Sequence, residues 1–289
     1  MRYAKPKSLD EALALLAADQ WRLLAGGTDF YPAQGARPIQ DNILDLNGIS
    51  GLRGIVRTPT HVVFGARTSW QDICRAELPP AFDALKLAAR EVGSVQIQNT
   101  GTIAGNLCNA SPAADGVPPL MVLDAEVELR SATGARFLPL DAFILGNRRT
   151  ALARGEMVTA IRVPVSGVQG RSHFLKLGAR RYLVISIAMV AARFVVGEGG
   201  MVEHAAIAVG SCSPVAVRLR GLEQLLVGLS AGPKLARTVD AYDFSELSPI
   251  DDVRSTAVYR KGAVRELVVR LTVDALAQMR ADEREGVLA

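Results

Sequence analysis

The sequence predicts an α+β protein of two domains. The first, residues 1–168, falls into parts of about 1–55 and 56–168, and the second, residues 169–289, is smaller and carries a three-stranded antiparallel sheet with helices. Three observations predict this. The chain has 289 residues, too many for one small core. Helical and strand-like apolar patterns alternate in its opening part, as in a small α/β unit. In the last third the pattern changes to long apolar runs bounded by polar and glycine-rich turns.

The elements follow in order. "SLDE", Ser8 to Glu11, reads as a capping box opening a helix, with Leu9, Ala12, Leu13, Leu15 and Leu16 at helical spacing. "WRLLA" is a strand, "TDFYPAQ" a short helix capped by Thr28, and "NILDL", from Asn42 to Leu46, another strand. Any parallel crossover among them is right-handed. The second part begins near Thr60. "HVVFGA" is a strand and "SWQDICRAE" a helix capped by Ser69. "PPAFDALKLAAREVG" is a helix with Pro79 at its start and Gly93 at its end. "EVELRSATGARFLPL" is a hairpin turning at Thr133–Gly134, and "EMVTAIRVP", Glu156 to Pro164, is a strand closed by proline.

The polar stretch "SGVQGRS" marks the domain boundary near Ser166–Arg171. Beyond it, "SHFLKLGARR", "IAMVAARFVV" and "MVEHAAIAVGSCS" read as three antiparallel strands, the last two joined by the turn Gly197–Gly200. Helices are expected at about Leu219–Leu226 and Asp251–Ala281. The second has Val253, Ala257, Val264, Leu267, Val268, Leu271 and Leu276 as its buried stripe.

Composition narrows the function. Hydrophobic residues make 49% and charged residues 21%, as in ordinary globular proteins. The net charge of +4 comes without a basic run, and aromatics are only 5%, so nothing points to nucleic acid. Cys74, Cys108 and Cys212 lie far apart, with no C-x-x-C, which argues against a metal or iron–sulfur site in this chain. An odd, scattered set also argues against a disulfide framework, and a cytoplasmic location fits. The start lacks a signal-like apolar region. The longest apolar run, from Val184, is too short for a membrane span and contains Arg193.

Two polar, glycine-rich stretches stand out. "RLLAGGTDF", Arg22 to Phe30, ends a strand on Gly26 and Gly27, and each glycine weakens a regular element by roughly 0.5–1 kcal/mol. "NTGTIAGNLCNASPAAD", Asn99 to Asp115, carries Gly101, Gly105, three asparagines and three hydroxyls between apolar segments. Ordinary tight turns would explain either stretch alone. Together they suit close backbone approach to a large polar ligand, since glycine turns present N–H groups that bind phosphate. A dinucleotide meets that description. No G-x-G-x-x-G is present, so the Rossmann mode is unsupported.

"LLAGGTDF" followed by "GTIAGNLCNASPAAD" resembles the FAD-binding (medium) subunit of the molybdenum hydroxylases, the family of xanthine dehydrogenase and carbon monoxide dehydrogenase. The resemblance continues through "EMVTAIRVP", "FLKLGARR", "AVGSCSPVAVRLRGLEQLL" and "VYRKGAVRELVVRLTVDAL", nearly the whole chain. It implies a two-part FAD domain of the vanillyl-alcohol-oxidase (PCMH) type. It also implies that the first motif, Leu24, Ala25, Gly26, Gly27, Thr28 and Asp29, holds the FAD diphosphate. By the same resemblance Thr102, Ile103, Ala104, Gly105 and Asn106 serve phosphate and ribityl groups, and Asp115 a ribityl or flavin contact. The resemblance also implies that Lys176 lies near the flavin ring and that Val158 offers it backbone contacts. Ala104 replaces the commoner glycine, which is tolerable if its φ is negative. Cys108 either approaches the flavin or is a small buried filler.

Residue chemistry adds detail. Asp29 and Asp115 should not face a diphosphate unpaired; hydroxyls and amines suit them better. A cation at Lys176 would favour the reduced, anionic ring, whereas by itself the residue reads as a solvated strand position. His61, His173 and His204 read as ordinary strand residues. Arg180, Arg181 and Tyr182 belong to a loop that the resemblance places near the flavin.

The resemblance implies an electron-transfer subunit. A small partner subunit with 2Fe-2S clusters would reduce FAD here, and FAD would reduce NAD, oxygen or a quinone. A large partner subunit with the molybdenum cofactor would oxidise the substrate, in a dimer of heterotrimers. No catalytic or metal-binding residue is assigned to this chain. The alternative is a stand-alone FAD oxidoreductase of the same fold with its own small-molecule substrate.

Overall fold

The computed structural model describes residues 1–197 and 199–287, with side chains described through Asp274. These residues form two compact units whose segments interleave along the chain. One comprises Met1–Ala76, Val92–Ser111 and Asp124–Val165; the other comprises Glu77–Glu91, Pro112–Leu123 and the chain from Ser166.

In the first unit, strands Tyr3–Ala4, Ile43–Asp45 and Arg22–Leu24 make a parallel sheet in that order. Helix Leu9–Ala18 packs Ala12, Leu13 and Leu16 into a core with Leu44, Leu46 and Ile49. Ser8 caps this helix by accepting the Glu11 N–H. The Glu11 carboxylate, however, takes the Lys7 N–H at 2.8 Å, so the reciprocal bond is offset by one residue. The predicted short helix spans Phe30–Gln34 and begins from Asp29, with no side-chain cap from Thr28. A five-stranded antiparallel sheet follows, in the order Ile55–Arg57, His61–Gly65, Met157–Pro164, Glu126–Ser131, Gly134–Pro139. Helix Trp70–Arg75 has a complete capping box between Ser69 and Asp72. The unit also holds helices Val95–Thr100, Ile103–Asn109 and Leu140–Phe143 and the small hairpin of Ile144–Gly146 with Arg149–Thr150.

In the second unit the three predicted strands are Arg171–Leu177, Ala188–Val196 and Val202–Gly210, antiparallel throughout. A two-residue strand, Val217–Arg218, adds a fourth that is too short to leave a periodic signal. Glu198, in the predicted turn, lies outside the described residues. Helix Asp83–Glu91 buries Ala84, Leu85, Ala88 and Ala89 completely. Ser172 ties it to the sheet, accepting the Ala84 N–H at 2.9 Å and donating to the Ala81 carbonyl at 2.6 Å. Arg193 is buried on the central strand, its charge met by the Val122 carbonyl at 2.6 Å, the Gln169 carbonyl at 3.2 Å and the His204 ring at 3.0 Å.

After strand Val217–Arg218 the helices depart from the sequence reading at two points. Helix Pro233–Asp240 was not predicted. The last helix begins at Ala257, not Asp251, which leaves Val253 before it and 98% exposed. Val264, Val268 and Leu271 are buried, Leu267 is partly buried, and Leu276 lies outside the described side chains. Among the described residues, no helix is long and apolar enough to cross a membrane.

Candidate functional site

The first glycine motif and the second as far as Ser111 belong to the first unit, and there they meet backbone to backbone. Strand Arg22–Leu24 delivers the first, with Leu24 buried at its end. A Cβ on Gly26 would lie 2.0 Å from the Thr100 carbonyl oxygen and 3.0 Å from the Gly101 Cα. The second motif therefore occupies the space a side chain at Gly26 would need. Gly27 answers a different demand, with φ at +74°, in the left-handed region that costs an L-residue roughly 1–2 kcal/mol. Its carbonyl accepts the Tyr31 N–H at 3.2 Å and so starts the helix Phe30–Gln34.

Gly27→Ala should thus lower stability by about 1–2 kcal/mol. The added Cβ would also meet the Tyr31 ring at 2.8 Å, but that ring is 56% exposed and can swing aside. A melting temperature equal to the parent's would contradict the backbone assignment.

The second motif is stitched to the loop before helix Trp70–Arg75. The Gly101 carbonyl accepts the Trp70 N–H at 3.2 Å, and the Ile103 N–H reaches the Thr68 carbonyl at 3.0 Å. Thr102 caps Ile103–Asn109 by accepting the Gly105 N–H at 3.1 Å. Ile103, Ala104 and Leu107 face the core, while Gly105 and Cys108 are exposed. Cys108 has solvent access, yet the protein crowded around its thiol pushes the pKa up to about 12. Ala104 is helical, so its substitution for glycine carries no backbone penalty. The Asn106 Oδ1 is buried without a hydrogen-bond partner. A buried acceptor of this kind is costly unless something donates to it.

Side chains that the sequence reading did not assign hold the motifs. Asn109 donates from Nδ2 to Asp29 Oδ1 at 2.9 Å, and Arg148 donates to Asn109 Oδ1. Asn47 donates to the Ala25 carbonyl at 2.8 Å and accepts from Arg67 at 3.0 Å. Val158 is buried on strand Met157–Pro164, beside a bulge between Val158 and Ala160.

Asp115 and Lys176 belong to the second unit, where they form an ion pair. Lys176 Nζ lies 2.6 Å from Asp115 Oδ2, with the side chains 7% and 10% exposed. Ser186 donates to the other oxygen, Oδ1, at 2.8 Å. Burial raises the Asp115 pKa above its ordinary value, and Lys176 pulls it back only in part. The sequence reading anticipated ligand hydroxyls on this carboxylate; it missed that Lys176 and Ser186 each engage one oxygen. It also read Lys176 by itself as solvated, whereas its side chain is largely covered.

Comparison with known proteins gives the family of the chain. Residues 1–166 fit the family described as the FAD binding domain in molybdopterin dehydrogenase, and residues 173–275 fit the CO dehydrogenase flavoprotein C-terminal domain. The chain belongs to the FAD-binding medium subunits of the molybdenum hydroxylases, and is an oxidoreductase subunit. The glyceraldehyde dehydrogenase medium chain of Sulfolobus acidocaldarius is 31% identical to it, over 93% of this chain and 95% of that one. The carbon monoxide dehydrogenase medium chain of Hydrogenophaga pseudoflava is also 31% identical, over 93% and 94%. The solved reconstituted CO dehydrogenase from Oligotropha carboxidovorans superposes with a TM-score of 0.88 at 28% identity, covering 96% of this chain and 98% of that one.

Proposed function

We propose that this chain is the electron-transfer subunit of a three-component molybdenum hydroxylase. It takes electrons from a 2Fe-2S partner subunit and passes them to an external acceptor, NAD, oxygen or a quinone. A large partner subunit with the molybdenum cofactor supplies those electrons, in a dimer of heterotrimers. The observation that carries the FAD assignment is the pair of glycine motifs meeting backbone to backbone, with the buried Asn106 Oδ1 awaiting a donor. A ribityl or ribose hydroxyl is such a donor.

When bound, FAD supplies one- and two-electron redox chemistry; the protein supplies binding and electrostatics. Gly26 and Gly27 with Thr28, and Thr102 through Asn106, are the candidate binding residues of the first unit. In the second unit, Lys176 presents a charge already balanced by Asp115 at 2.6 Å. Its influence on a flavin is that of a directed hydrogen-bond donor more than of a free cation. Cys108, with solvent access on helix Ile103–Asn109, is a further candidate to line the cofactor site. The scattered cysteines support a reducing, cytoplasmic setting.

The purified chain should show a flavin spectrum, and the colour should follow the supernatant after acid precipitation, marking non-covalent FAD. Co-expressed iron–sulfur and molybdenum subunits should co-purify with it. A colourless protein that fails to take up added FAD would refute the flavoprotein reading. A lone chain that turns over a substrate would refute the subunit reading.

A further inference from the structure

The first glycine motif ends on a carboxylate, Asp29, yet the proposed ligand brings two phosphate charges to the same motif. Like charges brought together this way repel. The structure supplies a counterweight from far along the chain. Asn109 donates to Asp29 Oδ1 at 2.9 Å, and the same carboxamide accepts from the Arg148 guanidinium through Oδ1. The amide is thus oriented with its oxygen toward the cation and its NH2 toward the carboxylate. Each bond in such a chain strengthens the next.

Arg148 is exposed, but its backbone is fixed. It sits at the turn between Ile144–Gly146 and Arg149–Thr150 with φ at +57°, and its N–H donates to the Ala110 carbonyl at 2.9 Å. The turn is thereby anchored to the end of helix Ile103–Asn109 by both backbone and side chain. An unstrained turn would place Gly or Asn at a left-handed position. An arginine held there against its backbone preference puts its charge next to Asn109.

We propose that Arg148, acting through Asn109, balances the charge of Asp29 and fixes its carboxylate, so that the first glycine motif can accept the diphosphate of a dinucleotide. Arg148 is then a positioning residue for the phosphates of the cofactor. The proposal rests on the FAD reading and adds to it the residue that resolves its electrostatic conflict.

The test compares FAD with riboflavin, which lacks phosphates, by fluorescence titration of the apoprotein at low and high NaCl. Arg148→Gln keeps a hydrogen-bond donor but removes the charge. It should weaken FAD on the order of tenfold at low salt, with a smaller effect at high salt, and leave riboflavin unchanged. Arg148→Lys should retain most of the affinity. Adding Asp29→Asn to Arg148→Gln should remove the salt dependence of the FAD deficit, because the charge that Arg148 balances is gone. Equal weakening of both flavins, or no salt dependence of the difference, would overturn the proposal and reduce Arg148 to a structural tie. So would an unchanged FAD affinity in Arg148→Gln. A parent protein that binds neither flavin would refute the FAD reading itself, and this assignment with it.

Discussion

Lys176→Met should destabilise the protein by about 3–5 kcal/mol at neutral pH, because it strands the buried Asp115 carboxylate. The corresponding fall in Tm is roughly 5–15 °C. Replacing both partners, as in Lys176→Met with Asp115→Leu, should recover most of that loss. A buried pair exchanged for apolar groups is often neutral, whereas a broken pair is not. The pH dependence gives a second check. The Asp115 pKa is raised in the folded state, so its contribution to stability is complete below its ordinary 3.8 and is lost as pH rises through the folded value. Removing Lys176 takes away the group that lowers that value, so the loss continues to higher pH. The variant should therefore approach the parent near pH 4 and fall away from it toward neutrality. A constant difference across that range would mean the damage is packing, not charge.

Gly26→Ala should be the more damaging of the two glycine substitutions. The atoms an added Cβ would strike, the Thr100 carbonyl at 2.0 Å and 2.7 Å and the Gly101 Cα at 3.0 Å, are all backbone. None can rotate away, so the two motifs must part. Overpacking of this kind costs about 1–3 kcal/mol, occasionally more. The expectation is a lower Tm in the apoprotein and a weaker grip on added FAD. The sequence alone suggested that both glycines clear a path for the diphosphate. The structure assigns Gly26 to the meeting of the two motifs and Gly27 to a left-handed turn. An apoprotein Tm matching the parent's in Gly26→Ala would show that the motifs have room to separate and would undo this account.

What the sequence made legible was local. The strand before Gly26, the Ser69 cap, the hairpin of Glu126–Ser131 with Gly134–Pro139 and the three long strands of the second unit each leave a pattern within a few residues. What it hid was pairing at a distance. Asn109 reaches a residue 80 positions away, Arg148 one 39 away, and Lys176 one 61 away. No periodicity records such partnerships. Helix Pro233–Asp240 is different, since it does carry a local signal. Pro233 opens it, and Leu235 and Val239 are buried at helical spacing.

The interleaving of the two units bears on how the protein is made. The second unit needs Ala81 and Ala84 to satisfy Ser172, and the carbonyls of Met121 and Val122 to satisfy Arg218 and Arg193. Those groups leave the ribosome well before the strands that receive them. Helix Asp83–Glu91, with its fully buried alanines and leucine, must therefore wait with its apolar face uncovered while the first unit is still being translated. Nascent chains in that state are prone to aggregation and are natural clients for a chaperone. For the same reason a cut near residue 166, where the first family match ends, would not release two self-sufficient halves. The amino-terminal piece would keep helices whose packing partners lie on the other.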